Sequence, residues 1–400
     1  MRILVLALGV PFPPIGGGLT RTFHLLRSLA VQHHVTLAAF TYGEPHDLPP
    51  YPVELRTVPW RWSRDYGAMT GDDLEASQQA YQRLTFESSE PWFASVMDPS
   101  ALDAVLAAPH QEYELIVLEG TPLARFLPVL PPGVPRVLDL FDIHSVMAQR
   151  AARSAERGDR ALEREFERTL AFERNAVASC DLCLAVSDQD AATARDLLGA
   201  KDVHVVANGV DTSYFTPASG KGEPGMLLFT GRMNYGPNVD AVHHFVDDIL
   251  PRIRREVPNA VFHIVGATPP PDVSALAGED VVVHGQVDDV RPFHHRAEVV
   301  VVPIRAGGGT RLKVLEAAAC GKAIVSTELG AEGLPLRDGA ELVIAATSVD
   351  FATAIVALLR DPARRQALGT RAREATCALD WATIGNEMRT VVETLVRDRV

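Results

Sequence analysis

The chain is predicted to fold as two doubly wound α/β domains in tandem, and three observations lead there. Short runs rich in Val, Ile and Leu recur along its 400 residues and are continuous rather than alternating, the pattern of parallel strands covered on both faces. Longer amphipathic stretches lie between most of these runs, giving the strand–helix alternation of a parallel sheet. A Gly- and Pro-rich stretch, SGKGEPG at 219–225, divides the runs into two series. The length exceeds one ordinary core. With 47% hydrophobic and 22% charged residues, each half can bury a core of its own.

The first series is RILVLAL (2–8), HVTLAAF (34–40), LIVLE (115–119), RVLDLF (136–141), LCLAVS (182–187) and HVVAN (204–208). Helical composition fills Leu19 to Gln32 and Val146 to Ser179. The stretch 60–110 is less patterned, with helical composition from about 72 to 86, and reads as an excursion from the alternation. The second series is MLLFTG (226–231), AVFHIVG (260–266), VVVHG (281–285), EVVVVPI (298–304), KAIVST (322–327) and ELVIAA (341–346). Residues 381–400 form a last amphipathic helix, with Trp381, Ile384, Met388, Val391, Val392 and Leu395 near helical spacing. The expected division is therefore 1–208, 209–380, and a terminal helix 381–400 packing back on the first domain. In such sheets ligands bind beyond the carboxyl ends of the strands.

Composition excludes several partners. A net charge of −13 opposes binding to a phosphate backbone and broad docking on anionic membrane, and 6% aromatics leaves little stacking surface for single-stranded nucleic acid. Four cysteines are too few for a disulfide scaffold. Cys180 and Cys183 form a C-x-x-C, but inside DLCLAVS they read as small apolar residues of a strand. The amino-terminal apolar run meets Pro11, Pro13 and Pro14 too soon for a signal peptide, and no run is long enough to span a membrane. The expected location is cytoplasmic. The histidine pairs at 33/34, 243/244 and 294/295 lack metal-ligand spacing.

Three segments can carry chemistry. Gly16, Gly17 and Gly18 follow the first strand and open a helix, where exposed N–H groups suit a phosphate or an acceptor group. The loop is too long for a dinucleotide-binding G-x-G-x-x-G turn. More informative is VVPIRAGGGTRLKVLEAAACGKAIVST (301–327). There a strand ends near Pro303, and Gly307, Gly308 and Gly309 let the backbone approach a ligand. A helix then opens near Thr310, flanked by Arg311 and Lys313, with Glu316 one to two turns on. Anion sites beside one carboxylate suit a nucleoside diphosphate, the phosphates at the cations and the ribose hydroxyls at Glu316. In FTGRMNYGPNVDAVHHF (229–245), Arg232 ends a strand where a guanidinium can neutralise a leaving diphosphate.

In order and separation, VVANGVDTSYF, LFTGRMNYGPNVDAV and GGGTRLKVLEAAACGKAIVST resemble the group-4 retaining glycosyltransferases of the GT-B fold, with weaker matches at 113–128 and 136–150. The resemblance implies two Rossmann-like domains facing a central cleft. It implies transfer of a sugar from a UDP- or other NDP-sugar to a hydroxyl on a saccharide, a lipid-linked sugar or a small natural product. It makes Arg232 the donor-phosphate arginine, Glu316 the ribose carboxylate, Gly307 through Thr310 the donor loop, and Asp142 or His144 the sugar-contacting residue of the first domain. The excursion at 60–110 is then expected to carry acceptor contacts.

Two departures stand out. Gly308 occupies the place of the family's first glutamate, as in a subgroup with GGGTRLK-type loops. The lysine that usually follows the phosphate arginine is missing from MNYGPN, which leaves Lys313 or Arg311 to supply the cation. The implied reaction is front-face and retaining, and needs no metal or other cofactor. Asp188-Gln189-Asp190 has the form of a metal-binding D-x-D, but it follows CLAVS and opens a helix, which favours Ser187 and Asp188 as cap residues. A nucleotide-sugar epimerase on the same fold, or a non-catalytic nucleotide-sugar sensor, are the alternatives.

Overall fold

The computed structural model describes residues 1–41, 46–70, 74–103, 113–154, 159–218, 220 and 222–399. They form two compact units, Met1–Ala207 with Gly385–Val400, and Asn208–Ile384.

The first unit is built on a seven-stranded sheet of order β3-β2-β1-β4-β5-β6-β7. Its strands are β1 (Arg2–Ala7), β2 (His34–Thr41), β3 (Val53–Pro59), β4 (Leu115–Glu119), β5 (Arg136–Leu140), β6 (Leu182–Ala185) and β7 (Val203–Val205), and every pairing is parallel. β1, β2, β4, β5 and β6 are the continuous apolar runs of the sequence. Ile3, Leu4, Val5 and Leu6 of β1 are fully buried, as both-face coverage requires. β3 escapes that pattern. VELRTVP carries Glu54 and Arg56 because it is the sheet's edge, where charge also guards the open backbone. The helices that position the site residues are α1 (Gly17–Leu29), α2 (His144–Ser154) and α3 (Arg160–Ala178). The excursion holds short helices at Arg64–Met69 and Leu74–Gln82, with Trp62 stacked on Tyr66 at 4.2 Å between ring centroids.

The second unit holds a six-stranded parallel sheet of order β10-β9-β8-β11-β12-β13. Its strands are β8 (Met226–Thr230), β9 (Val261–Val265), β10 (Val281–Gly285), β11 (Val299–Val302), β12 (Ala323–Ser326) and β13 (Val343–Ile344). The helices that matter for the site are α4 (Gly236–His244) and α5 (Leu312–Ala319). The sheet and its helices share one large core that includes Phe229, Phe245, Phe262 and Phe351. Helix α6 (Trp381–Arg397) begins in this unit and ends in the first, where Arg389 donates to the Ser28 carbonyl at 3.2 Å. At its start, Val210 and Asp380 are bridge partners, and the Asp380 carboxylate accepts from the Thr212 amide and hydroxyl at 3.0 and 2.6 Å.

Each sheet reverses its winding once. The reversals fall between β1 and β4 in the first unit and between β8 and β11 in the second. At such a switch point the loops diverge and leave a crevice at the carboxyl ends. Among the described residues, no helix is long and apolar enough to cross a membrane.

Candidate functional site

The two segments singled out in the second unit leave β8 and β11, which are hydrogen-bonded neighbours at its switch point. After β8 the chain passes Gly231 and Arg232 and enters α4. After β11 it passes Gly307 to Arg311 and enters α5. A Cβ on Gly307, at φ 106°, would lie 3.0 Å from Tyr235 Oη and 3.4 Å from Pro237 Cγ, so the two loops touch there with no room for a side chain. Arg305 and Asp240 join the same two segments by an ion pair at 2.6 Å.

Helix α5 starts later than the sequence predicts. Arg311 is its N-cap and Leu312 its first residue, whereas the opening is expected near Thr310. Thr310 instead accepts a 2.6 Å hydrogen bond on Oγ1 from Asn208 Nδ2, which holds it outside the helix. Arg311 supplies no side-chain cap, and no acidic residue lies in the first turn. The first N–H groups of α5 and its positive dipole end therefore border the glycine loop. Arg311 itself folds back, its Nη1 donating to the carbonyls of Gly308 and Gly309. Its observed work is to shape the loop.

Helix α5 buries Val314, Ala317 and Ala318 in the main core and Leu315 and Ala319 against Val210. Lys313 and Glu316 occupy the remaining face, half-buried. Lys313 Nζ donates to Asn238 Oδ1 at 2.7 Å and lies 3.9 Å from the centroid of the Phe229 ring. Burial, helped by the Arg311 guanidinium and opposed by Glu316, lowers its pKa to about 7. Burial raises Glu316 to about 7, with Lys313 pulling the other way. Arg232 is exposed, and among the described residues it forms no ion pair. Its carbonyl accepts from Asn238 Nδ2 at 2.7 Å.

In the first unit, Gly17 is the first residue of α1, and Gly16 precedes it at φ 93°. Gly18 lies against Phe141, with which its Cβ would make ordinary contact at 3.5 Å. Asp142 follows β5, and His144 opens α2. The fully buried Glu173 of α3 caps α2 from outside, accepting from the amides of His144 at 2.8 Å and Ser145 at 3.0 Å. His144 packs on Phe93 at 4.7 Å between centroids, with Nδ1 3.7 Å from Glu173 Oε1. Burial alone would lower its pKa, but Glu173 and then Asp142 outweigh that and raise it. Glu173 shows the mirror effect: burial favours its neutral form, while His144 and Ser145 hold its pKa low.

Sequence reasoning missed Asn238, Glu173 and a buried cluster near the carboxyl ends of β4 and β5. Asp139 accepts from Arg21 Nε at 2.6 Å and Nη2 at 2.9 Å, and its register partner on β4 is Glu119. Thr22 Oγ1 donates to Glu119 at 3.2 Å. Burial, then the Asp139 charge, pushes Glu119 to about 8, with Arg21 and Thr22 offsetting part of that. A cavity of about 440 Å³ also lies in the excursion, lined by Met69, Ser77, Gln78, Tyr81 and Gln82. None of the sequence-predicted site residues lines it. Ser187 caps the helix Asp188–Thr193, accepting from the Asp190 amide at 3.0 Å and donating to its carboxylate at 2.6 Å. Cys183 is buried and Cys180 half-buried, and burial pushes both thiols to about 12.

The segment that holds this crevice matches a known family model. Residues 224–361 match Glycosyl transferases group 1. A phosphatidyl-myo-inositol mannosyltransferase of Mycobacterium leprae is 30% identical to this chain over 223 residues, covering 53% of the chain and 59% of that relative. The match thus spans under two thirds of the relative's length. Among solved structures, a sucrose-phosphate synthase from Thermosynechococcus elongatus superposes with a TM-score of 0.75 at 19% identity, covering all of both chains. HepE from Anabaena, solved in complex with UDP-glucose, superposes with a TM-score of 0.68 at 16% identity, covering 98% of this chain and 99% of its own. The fold is the GT-B fold of glycosyltransferases, with the group 1 segment lying within the second unit.

Proposed function

We propose that this protein is a retaining glycosyltransferase that takes a sugar from an NDP-sugar and places it on an acceptor hydroxyl. The observation that carries the reading is the crevice of the group 1 segment. Two cations, a glycine loop and an uncapped helix start belong to it: Lys313 rests on a carboxamide and an aromatic ring, and Arg232 forms no ion pair among the described residues. An anion entering such a place finds positive charge that, among the described residues, no carboxylate holds in an ion pair.

In this reading the diphosphate lies along Gly307 to Thr310 and the start of α5, facing Arg232 and Lys313. Glu316, poised near neutrality, exchanges hydrogen bonds with the ribose hydroxyls. As the bond between sugar and phosphate oxygen breaks, negative charge grows on the leaving phosphate, and the two cations stabilise it more than they stabilise the ground state. The leaving phosphate accepts the acceptor hydroxyl's proton on the same face of the sugar, so configuration is retained. Asp142 and His144 are the first unit's candidates for contacting the sugar. Gly308 offers no side chain where a first glutamate is usual, and its carbonyl instead anchors Arg311. The relatives' names support a lipid-linked or saccharide acceptor.

The test screens a panel of nucleotide sugars for thermal stabilisation, since a ligand that binds only the folded state raises the melting temperature. Each hit is then assayed for transfer with EDTA present. Stabilisation by at least one donor and turnover that survives EDTA are expected. A chain that no donor stabilises, or a product epimerised but not transferred, would defeat the proposal.

A further inference from the structure

We propose that Asn238 is a positioning residue for the two diphosphate-facing cations, its carboxamide holding the Lys313 ammonium and the Arg232 backbone in one register. The proposal rests on the reading of this crevice as a nucleoside-diphosphate site and adds a residue to it.

Asn238 is 7% exposed and makes two hydrogen bonds that run in opposite senses. Its Oδ1 accepts from Lys313 Nζ at 2.7 Å, and its Nδ2 donates to the Arg232 carbonyl at 2.7 Å. An ammonium can only donate and a carbonyl can only accept, so the amide has a single satisfying orientation. Aspartate lacks the donor, and leucine lacks both groups.

The surroundings are cut to this arrangement. A Cβ on Gly231 would lie 2.7 Å from Lys313 Nζ and 2.8 Å from Asn238 Nδ2, so only glycine leaves the pair its space. The Phe229 ring supports Nζ from another side. The charged groups acting on the ammonium are Arg311 and Glu316 of its own segment, while Asp240 of α4 is paired with Arg305. A neutral carboxamide fixes Lys313 without cancelling its charge. With the ammonium's pKa near 7, a change at its hydrogen-bonded partner Asn238 alters how much of it is charged at neutral pH.

The experiment is calorimetric titration of the full chain with UDP, GDP and ADP across about pH 6 to about pH 9, the range in which such a lysine changes charge. Asn238→Leu, Asn238→Asp, Lys313→Ala and the Asn238→Leu/Lys313→Ala double variant are compared with wild type. Wild-type affinity is expected to fall as pH rises through about 7, the folded pKa of Lys313. Asn238→Leu should bind about tenfold or more weakly at neutral pH, the scale of a lost hydrogen bond to a charged group. Asn238→Asp should move the fall to higher pH, because its carboxylate keeps the ammonium protonated. The double variant should bind no more weakly than Lys313→Ala, since the asparagine acts through the lysine.

A folded Asn238→Leu with wild-type affinity and pH profile would overturn the proposal. Should that variant not fold, an unshifted profile in Asn238→Asp overturns it equally. A wild type that binds none of the three nucleotides removes the diphosphate reading and this proposal together. Wild-type binding with indifferent Asn238 variants removes the proposal alone.

Discussion

At the β1/β4 reversal of the first unit, the charged residues face one another. Arg21 is fully buried and bidentate on Asp139, and Glu119 sits on the neighbouring strand in register. At the β8/β11 reversal of the second unit, neither Arg232 nor Lys313 forms an ion pair among the described residues. Lys313 rests on Asn238 and Phe229, and Arg232 is exposed. The topology is the same and the electrostatic outcome is opposite. A closed set of charges stiffens a scaffold and has little left for a ligand. A cation held by uncharged groups keeps its field for whatever enters. The difference teaches which crevice to read as the anion site, a distinction that strand order alone does not make.

Three measurements would break or sharpen that contrast. The largest effect is expected from Arg21→Leu, which strands the buried Asp139 carboxylate beside Glu119. Removing one partner of a buried ion pair costs about 3–5 kcal/mol, read from urea unfolding of the full chain. A loss below about 1 kcal/mol, the scale of a surface pair, would mean the cluster is not a closed electrostatic set.

Next come Arg232→Ala and Lys313→Ala, which should leave folding largely intact and act on turnover. Losing one transition-state donor lowers kcat about 100- to 1000-fold, or about 3–4 kcal/mol. Glu316→Gln should chiefly raise the donor KM, because ribose hydroxyls lie far from the breaking bond. Steady-state titration of donor at saturating acceptor separates the two outcomes. Near-normal kcat in both cation variants would remove their leaving-group role.

The last measurement is a pH dependence of stability. Glu119 has its folded pKa raised from 4.5 to about 8, so between those values the folded chain holds a proton that the unfolded chain has released. The associated stability is complete below about 4.5 and is lost as pH rises through about 8. Glu119→Gln should flatten that decline in unfolding curves taken across the window. An undiminished decline would place its origin elsewhere.

Much of the fold was legible because strands buried on both faces must be apolar throughout, as LIVL at 115–118 and VVVV at 299–302 show. Strand β3 was not legible, since an edge strand has no such requirement and VELRTVP mixes charges with apolar residues. The glycine loop and its flanking cations stood out because the backbone demand and the charge sit together in sequence. What stayed hidden depended on partners distant along the chain. Arg21 and Asp139 are 118 residues apart, and Asn238 and Lys313 are 75 apart. Spacing rules do not reach so far. Arg311 was hidden for a different reason: a guanidinium beside a glycine loop can reach outward or fold back onto the loop's own carbonyls, and composition does not choose between them.

The bridge between Val210 and Asp380 also bears on how such proteins are put together. The chain enters the second unit at Asn208 and leaves it after Ile384, and this bridge ties the two passages together close to those ends. A unit whose ends meet has the geometry of a cassette. It can be lifted from one sequence and set into another, or cut and rejoined elsewhere, without stretching its own sheet. Chimaeras joined at these two points would carry the whole Arg232, Asn238, Lys313 and Glu316 set with them. The set proposed to bind the donor would then be inherited as one piece, and the first unit left free to vary beside it.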